Sequence, residues 1–224
     1  MIQIAPSLMC ANFLNLQRDI RDLDRAKADF LHADVMDGHF VPNLALNFDI
    51  LRQIRTISET PMDVHLMVSN PELYLEPLEH LHIEQASFHL EAARHPIRLA
   101  RELRARGIRA GAAISPCAPL QGLEYVLADL DYVLVLMVEP GFAGQPFIPA
   151  TLDKITGLKQ MMAGRGLDLP IEVDGNINVE VGAKSIARGA SVLVAGTSSV
   201  FQHGQDLYTA CVEFRRQILA SCGT

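Results

Sequence analysis

The sequence predicts an α/β fold: eight parallel strands, each followed by a helix, closed into a (β/α)8 or TIM barrel. Three observations lead there. Short apolar segments alternate with segments of helical period along the whole 224-residue chain. The apolar segments are mostly unbroken, as strands are when both faces of a sheet are covered. Eight such units divide the chain at 28 residues each, close to the roughly 30 expected of a strand–helix–strand repeat. Alternation of this kind implies a parallel sheet. Eight units favour closure into a barrel, with an open doubly wound sheet as the alternative.

The units run in order along the chain. IQIAPSL (2–8) reads as the first strand, because the N-terminus lacks the basic start and extended apolar core of a signal peptide. FLNLQRDIRDLDRA (13–26) then places Phe13, Leu16, Ile20 and Leu23 at helical spacing. Strands are expected at DFLHADVM (29–36), MDVHLMV (62–68), QASFHLE (85–91) and RAGAAIS (109–115). IRLARELRARG (97–107) is helical and stops at a glycine. DYVLVLMVEP (131–140), PIEVDG (170–175) and SVLVAG (191–196) complete the eight strands, and eight helices are expected between and after them. No linker, charge block or low-complexity stretch interrupts the series, so residues 1–224 are expected to form a single domain.

Composition narrows the function. Apolar residues make up 49% of the chain and charged residues 20%, enough core and too little charge for a disordered protein. The net charge of -7 argues against nucleic acid or a membrane surface as partner, since both are anionic. A small phosphorylated ligand remains compatible, because a backbone nest binds phosphate locally. No run of about 18 apolar residues predicts a membrane span. Cys10, Cys117, Cys211 and Cys222 form no C-x-x-C pair; reduced thiols in a cytoplasmic protein are the expectation.

In such a barrel, active sites sit at the C-terminal ends of the strands. Polar residues collect there. His32, Asp34 and Met36 share one face of the second strand, Asp63, His65 and Met67 one face of the third, and Glu172 and Asp174 one face of the seventh. Taken singly, each reads as a satisfied core polar group. Together, His32, Asp34, His65 and Asp174 are two imidazoles and two carboxylates, a set suited to a divalent cation such as zinc. A cation would also justify carboxylates among Phe30, Leu31 and Val35, where an unpaired charge costs several kcal/mol. Asp37-Gly38 reads as turn chemistry and His39 as a loop residue near the mouth. His89 and Glu91, at the end of the fourth strand, stand where the mouth would be. His82, His95 and His203 fall on helices or loops and are given no chemistry. PGFAGQPF (140–147), DGNIN (174–178) and AGTSSVF (195–201) come after strands six, seven and eight. Glycine-rich loops after strands seven and eight often form a phosphate site from backbone amides.

These residues carry a resemblance. APSLMCANF, HADVMDGHFVPN, DVHLMV, VEPGFAGQPF, EVDGNIN and VAGTSSVF occur in the order and at the spacing of the ribulose-phosphate 3-epimerase family, and the chain resembles that family over nearly its full length. The resemblance implies a barrel enzyme, an isomerase that interconverts ketose phosphates differing only at C3. It implies that His32, Asp34, His65 and Asp174 are metal ligands, and that Asp34 and Asp174 are also the acid/base pair. It implies that Ser7 contacts substrate, that Met36, Met67 and Met137 cap the reacting centre, and that Gly144, Gly175, Gly196 and Thr197 hold the phosphate. Asn176 stands where the family commonly has a second glycine, its backbone N–H still available to substrate. Ala143 replaces another glycine, and NLALNF lacks the usual one. PSLMC, FAGQPFIP and GTS look more like the branch acting on D-allulose 6-phosphate and D-fructose 6-phosphate, with D-ribulose 5-phosphate as the alternative substrate. The metal is expected to be zinc, although iron, manganese or cobalt also suit the donor set. Self-association into dimers or hexamers is implied. A metal-free lyase of the same barrel type would show a D-x-K-x-x-D run, which is absent here. A noncatalytic sugar-phosphate sensor would have no use for two opposed aspartates beside a metal.

Overall fold

A computed structural model describes residues 2–223. Eight parallel strands pair in the order β1-β8-β7-β6-β5-β4-β3-β2. They are β1 (Gln3–Pro6), β2 (Leu31–Asp37), β3 (Met62–Met67), β4 (Gln85–His89), β5 (Arg109–Ile114), β6 (Tyr132–Leu136), β7 (Ile171–Asp174) and β8 (Val192–Ala195). A parallel bridge between Ser7 and His32 joins the two ends of that order and closes the barrel. Seven of the eight strands fall inside the segments read from the sequence, and β2 runs one residue past its segment, to Asp37. A two-residue ribbon, Leu44–Ala45, adds antiparallel to Met36 and Asp37 at the rim.

Side chains alternate through the barrel wall with the two-residue period of a strand. Leu31, Ala33 and Val35 of β2, Val64 and Leu66 of β3, and Ala86 and Phe88 of β4 belong to the main apolar core, which the helices cover. The intervening residues point inward: His32 and Asp34; Asp63 and His65; Gln85, Ser87 and His89. All seven are buried. The pairing register sets Asp34 beside His65 and His32 beside Asp63, so neighbouring polar groups stack in layers inside the barrel.

Among the described residues, seven α-helices surround it: α1 (Leu16–Arg25), α2 (Phe48–Arg55), α3 (Leu75–Glu79), α4 (Pro96–Ala105), α5 (Thr151–Ala163), α6 (Val179–Ile186) and α7 (Leu207–Ser221). The expected eighth is missing between β5 and β6, where two 3-10 turns, Leu120–Leu123 and Leu127–Asp129, make the crossover. Pro116 and Pro119 lack the amide donors a helix needs, and Gly122 disfavours a helix in the next turn. The helix expected from residue 13 starts later. Asn12 caps a 3-10 turn by accepting the Leu14 amide, and the Asp19 carboxylate accepts the Asn12 amide at 2.8 Å. Phe13 therefore stands 51% exposed and not on the buried helix face.

The barrel floor depends on one glycine. A Cβ on Gly111 would lie 2.3–2.7 Å from the Tyr132 ring, whose hydroxyl donates to Asp63 Oδ1 at 3.1 Å. We expect Gly111→Ala to displace that ring and to destabilise the protein by about 1–3 kcal/mol, the usual cost of overpacking. Urea unfolding measures this, and an unchanged midpoint would contradict the interior packing described here.

Candidate metal centre and active site

Four inward side chains meet near the C-terminal ends of β2, β3 and β7. His32, Asp34, His65 and Asp174 each offer a ligand atom, and these atoms all lie within 4.8 Å of one another. Asp34 Oδ1 sits between the two imidazoles, 3.3 Å from His32 Nε2 and 3.1 Å from His65 Nδ1. Asp174 Oδ2 is 4.0 Å from His65 Nδ1, and its side chain, 20% exposed, is the member open to the cleft.

The hydrogen bonds behind this cluster prepare it for a cation. His32 Nδ1 lies 2.5 Å from Asp63 Oδ2, which fixes the proton on that nitrogen and aims the Nε2 lone pair inward. His32 Nε2 is buried and has no hydrogen-bond partner. A buried ring nitrogen left unpaired is costly, whereas as a metal ligand it is satisfied. The donor set, two imidazole nitrogens and two carboxylate oxygens, fits a divalent cation. His32, Asp63 and Glu172 also cluster, but His32 Nδ1 is already committed to Asp63. Burial and the neighbouring Asp63 charge push the Glu172 carboxyl well above its usual range, so it holds a proton.

Charge crowding separates the two aspartates. Burial opposes ionisation of Asp34, but the adjacent His32 and His65 overcome it and hold Asp34 well below the carboxylate range. Burial and then the Asp34 charge raise Asp174 to about 7. Two carboxyls in one site with protonation pushed apart are the usual basis of an acid/base pair.

The walls of the cleft divide into an apolar and a polar side. Met36, Met67 and Val41 form a small cluster with Met9 against it. Ser7 Oγ donates to Asp34 Oδ2 at 2.8 Å, which orients that carboxylate. Across the cleft stand Gly144, Gly175, Asn176, Gly196, Thr197 and Ser198, from the loops after β6, β7 and β8. Gly175 has a φ of 109°, and a Cβ there would meet Val138 at 2.6 Å, so only glycine fits. Asn176 also has a positive φ, 53°. Its side chain ties two loops together: Nδ2 donates to the Gln145 carbonyl at 2.8 Å, and Oδ1 accepts from Ser198 Oγ at 2.7 Å.

Several residues stand elsewhere than the sequence implied. Met137 faces the main core and not the cleft; Leu136, one residue earlier, lines the cleft in its place, with Met9 as a further methionine. His89 is fully buried and does not line the mouth. It lies behind His65, with the two Nε2 atoms 3.0 Å apart, and burial lowers it to about 4. Asp37 serves the rim loop, accepting the His39 and Phe40 amides at 2.8 Å and bonding Ser69 through its other oxygen. Asp63 and Glu172, which share faces with the site residues, sit one layer below it. Nothing in the sequence marks Met9, Cys10 or Ser198 as cleft residues, since the chain bends them there only after the strands end. Among the described residues, no helix is long and apolar enough to cross a membrane.

A model of the ribulose-phosphate 3 epimerase family matches residues 3–201. Ribulose-phosphate 3-epimerase of Methanocaldococcus jannaschii is 40% identical over 219 residues, covering 98% of this chain and 92% of that protein. The Bacillus subtilis protein of the same name is 41% identical over 199 residues, with 88% and 92% covered. Among solved structures, a variant tryptophan synthase α-subunit of Pyrococcus furiosus superposes with a TM-score of 0.70 at 13% identity, over 97% of this chain and 98% of that one. Thiamine phosphate pyrophosphorylase of the same organism gives 0.66 at 11% identity, over 98% and 96%. At that identity the likeness bears on the barrel fold alone.

The cluster generates a direct expectation. Chelator-treated protein should gain thermal stability on titration with a divalent cation, by about 2.7 kcal/mol at a hundred times the dissociation constant. His32→Ala should lose that gain; a cation-induced shift that survives in His32→Ala would contradict the site.

Proposed function

The chain belongs to the ribulose-phosphate 3-epimerase family and is an isomerase acting on a ketose phosphate at C3; we propose that it works with a divalent cation, with Asp34 and Asp174 as its acid/base pair, on D-allulose 6-phosphate and D-fructose 6-phosphate. One observation carries the reading: four ligand atoms lie within 4.8 Å of one another, and one of them, a buried imidazole nitrogen, makes no hydrogen bond.

The C3 proton of a ketose lies next to the C2 carbonyl but is far too weakly acidic for a free carboxylate to remove. His32, Asp34, His65 and Asp174 would hold the cation, which would supply fixed positive charge against the negative charge that builds on substrate oxygen as the proton leaves. Zinc suits this donor set best, and iron, manganese and cobalt also fit it. Asp34, kept ionised by its imidazole neighbours, accepts a proton from one face of C3. Asp174, with its carboxyl near neutrality, returns one from the other face and inverts the centre. The roles exchange in the reverse direction. Asp34 on β2 and Asp174 on β7 are brought together across the barrel, which provides the two-sided approach. Ser7 holds the Asp34 carboxylate in place. Met9, Met36 and Met67 keep water from the enediolate and add no competing base. General acid–base catalysis contributes about 10² to 10⁴-fold, so charge stabilisation must supply much of the remainder.

The sugar is assigned from the far side of the cleft. Gly144, Gly175, Asn176, Gly196 and Thr197 line that side and would receive the phosphate through backbone amides. A hexulose carries its phosphate one carbon farther from the reacting centre than a pentulose does. Asn176 in place of glycine laces the β6, β7 and β8 loops into one frame, and Ala143 alters the first of them; these changes support the longer substrate. D-ribulose 5-phosphate remains the second reading, favoured by the names of the relatives.

Asp34→Asn and Asp174→Asn are each expected to lower turnover by about 10²-fold or more while circular dichroism stays native. Exchange of the substrate C3 proton in deuterated water should fail in parallel. Full activity in either variant would refute the two-base scheme. Steady-state assays on both sugars test the substrate, and a large kcat/KM preference for ribulose 5-phosphate would reverse its assignment.

A further inference from the structure

His65 is the ligand whose proton placement is left open, because its only direct carboxylate partner, Asp34, is itself a member of the cluster. An imidazole in its neutral form carries one hydrogen, on either nitrogen. With the hydrogen on Nδ1, His65 donates to Asp34 Oδ1, 3.1 Å away, and has no lone pair facing the cluster. With the hydrogen on Nε2, the Nδ1 lone pair faces the cluster. Two tautomers therefore compete, and only one can bind a cation.

The structure shows what chooses between them. His65 Nε2 and His89 Nε2 are 3.0 Å apart, so one hydrogen lies between them. On its far side, His89 Nδ1 is 3.2 Å from Glu91 Oε1 and 3.1 Å from Ser115 Oγ. Ser115 directs its own hydrogen to Glu91, at 2.5 Å. Only a hydrogen on His89 Nδ1 satisfies that end, because a lone pair there would face the Glu91 carboxylate. His89 Nε2 is then the acceptor, and the hydrogen between the rings belongs to His65. His89 is held in this pose between two rings, with His65 at 5.1 Å and Phe40 at 4.5 Å between centroids.

We propose that His89, backed by Glu91 and Ser115, is a positioning residue that selects the His65 tautomer able to bind the cation. The inference rests on the metal-centre reading above. The two imidazoles of the cluster are then braced alike from opposite nitrogens: His32 by Asp63 directly, His65 by Glu91 through an intervening ring. Partners of this kind set ligand orientation and basicity, and their loss typically costs 10- to 100-fold in metal affinity.

The test is a titration of the chelator-treated full chain with Co²⁺, read as visible absorption and as a dissociation constant, on wild type, His65→Ala, His89→Leu, His89→Gln and Glu91→Leu. Leucine cannot accept from His65 Nε2. Glutamine places a carbonyl oxygen where the His89 acceptor stood. We expect His89→Leu to weaken Co²⁺ binding by about 10- to 100-fold and to alter the ligand-field bands, with His89→Gln restoring both. Wild-type affinity in His89→Leu, or equal weakness in the Leu and Gln variants, would overturn the proposal while the loss of binding in His65→Ala left the metal centre standing. No Co²⁺ binding by wild type would overturn the metal centre itself. Should His89→Leu fail to fold, Glu91→Leu, which removes the acceptor, reads the same chain; about tenfold weaker binding supports it, and unchanged binding overturns it.

Discussion

The fold closes around charged groups that have no business inside a barrel unless something positive joins them. Asp34 and Asp63 are at most 2% exposed, and His32 and His65 beside them are wholly buried. Removing such carboxylates from water costs several kcal/mol each; His32 and His65 offset that cost at Asp34, but not at Asp174. The like charge of Asp34 already drives the Asp174 carboxyl up, a sign that the cluster holds more negative charge than its own side chains balance. A divalent cation would remove that imbalance, and His32, Asp34, His65 and Asp174 are the residues that would hold it.

The layer beneath orients the cluster through hydrogen bonds. Asp63 accepts from His32 and from Tyr132. Glu172, kept protonated by burial and by Asp63, is held by Gln85 at 3.3 Å, and Gln85 in turn accepts from Arg109. Gly111 leaves the space the Tyr132 ring occupies. The groups that fill the interior at the barrel floor are thus the ones that orient the first imidazole.

Much of this is legible in the chain. Strands two, three and seven announce their inward faces because polar residues recur at every second position in otherwise apolar runs, and that phase alone brings His32, Asp34, His65 and Asp174 to one side of the wall. Where the phase is unmarked, sequence reasoning slips. The sixth strand, YVLVLMV, has no polar residue inside it after Tyr132, so nothing distinguishes Met137 from Leu136, and the cleft residue is the leucine. The β5–β6 crossover loses its helix to two prolines, although an apolar pattern persists there. His89 is visible only as a histidine at a strand end. Its role as a brace depends on a ring–ring approach and on Ser115 from the next strand, neither of which has a sequence period.

The central claim is that one divalent cation sits among His32, Asp34, His65 and Asp174. Crystals of the chain grown with zinc, with diffraction recorded on both sides of the zinc absorption edge, test it most directly. A single anomalous peak within about 2.0–2.2 Å of His32 Nε2, His65 Nδ1 and an oxygen of each aspartate is the expected result. Zinc bound elsewhere on the molecule, with the His32 Nε2 position left to solvent or to a proton shared with Asp34, would contradict it.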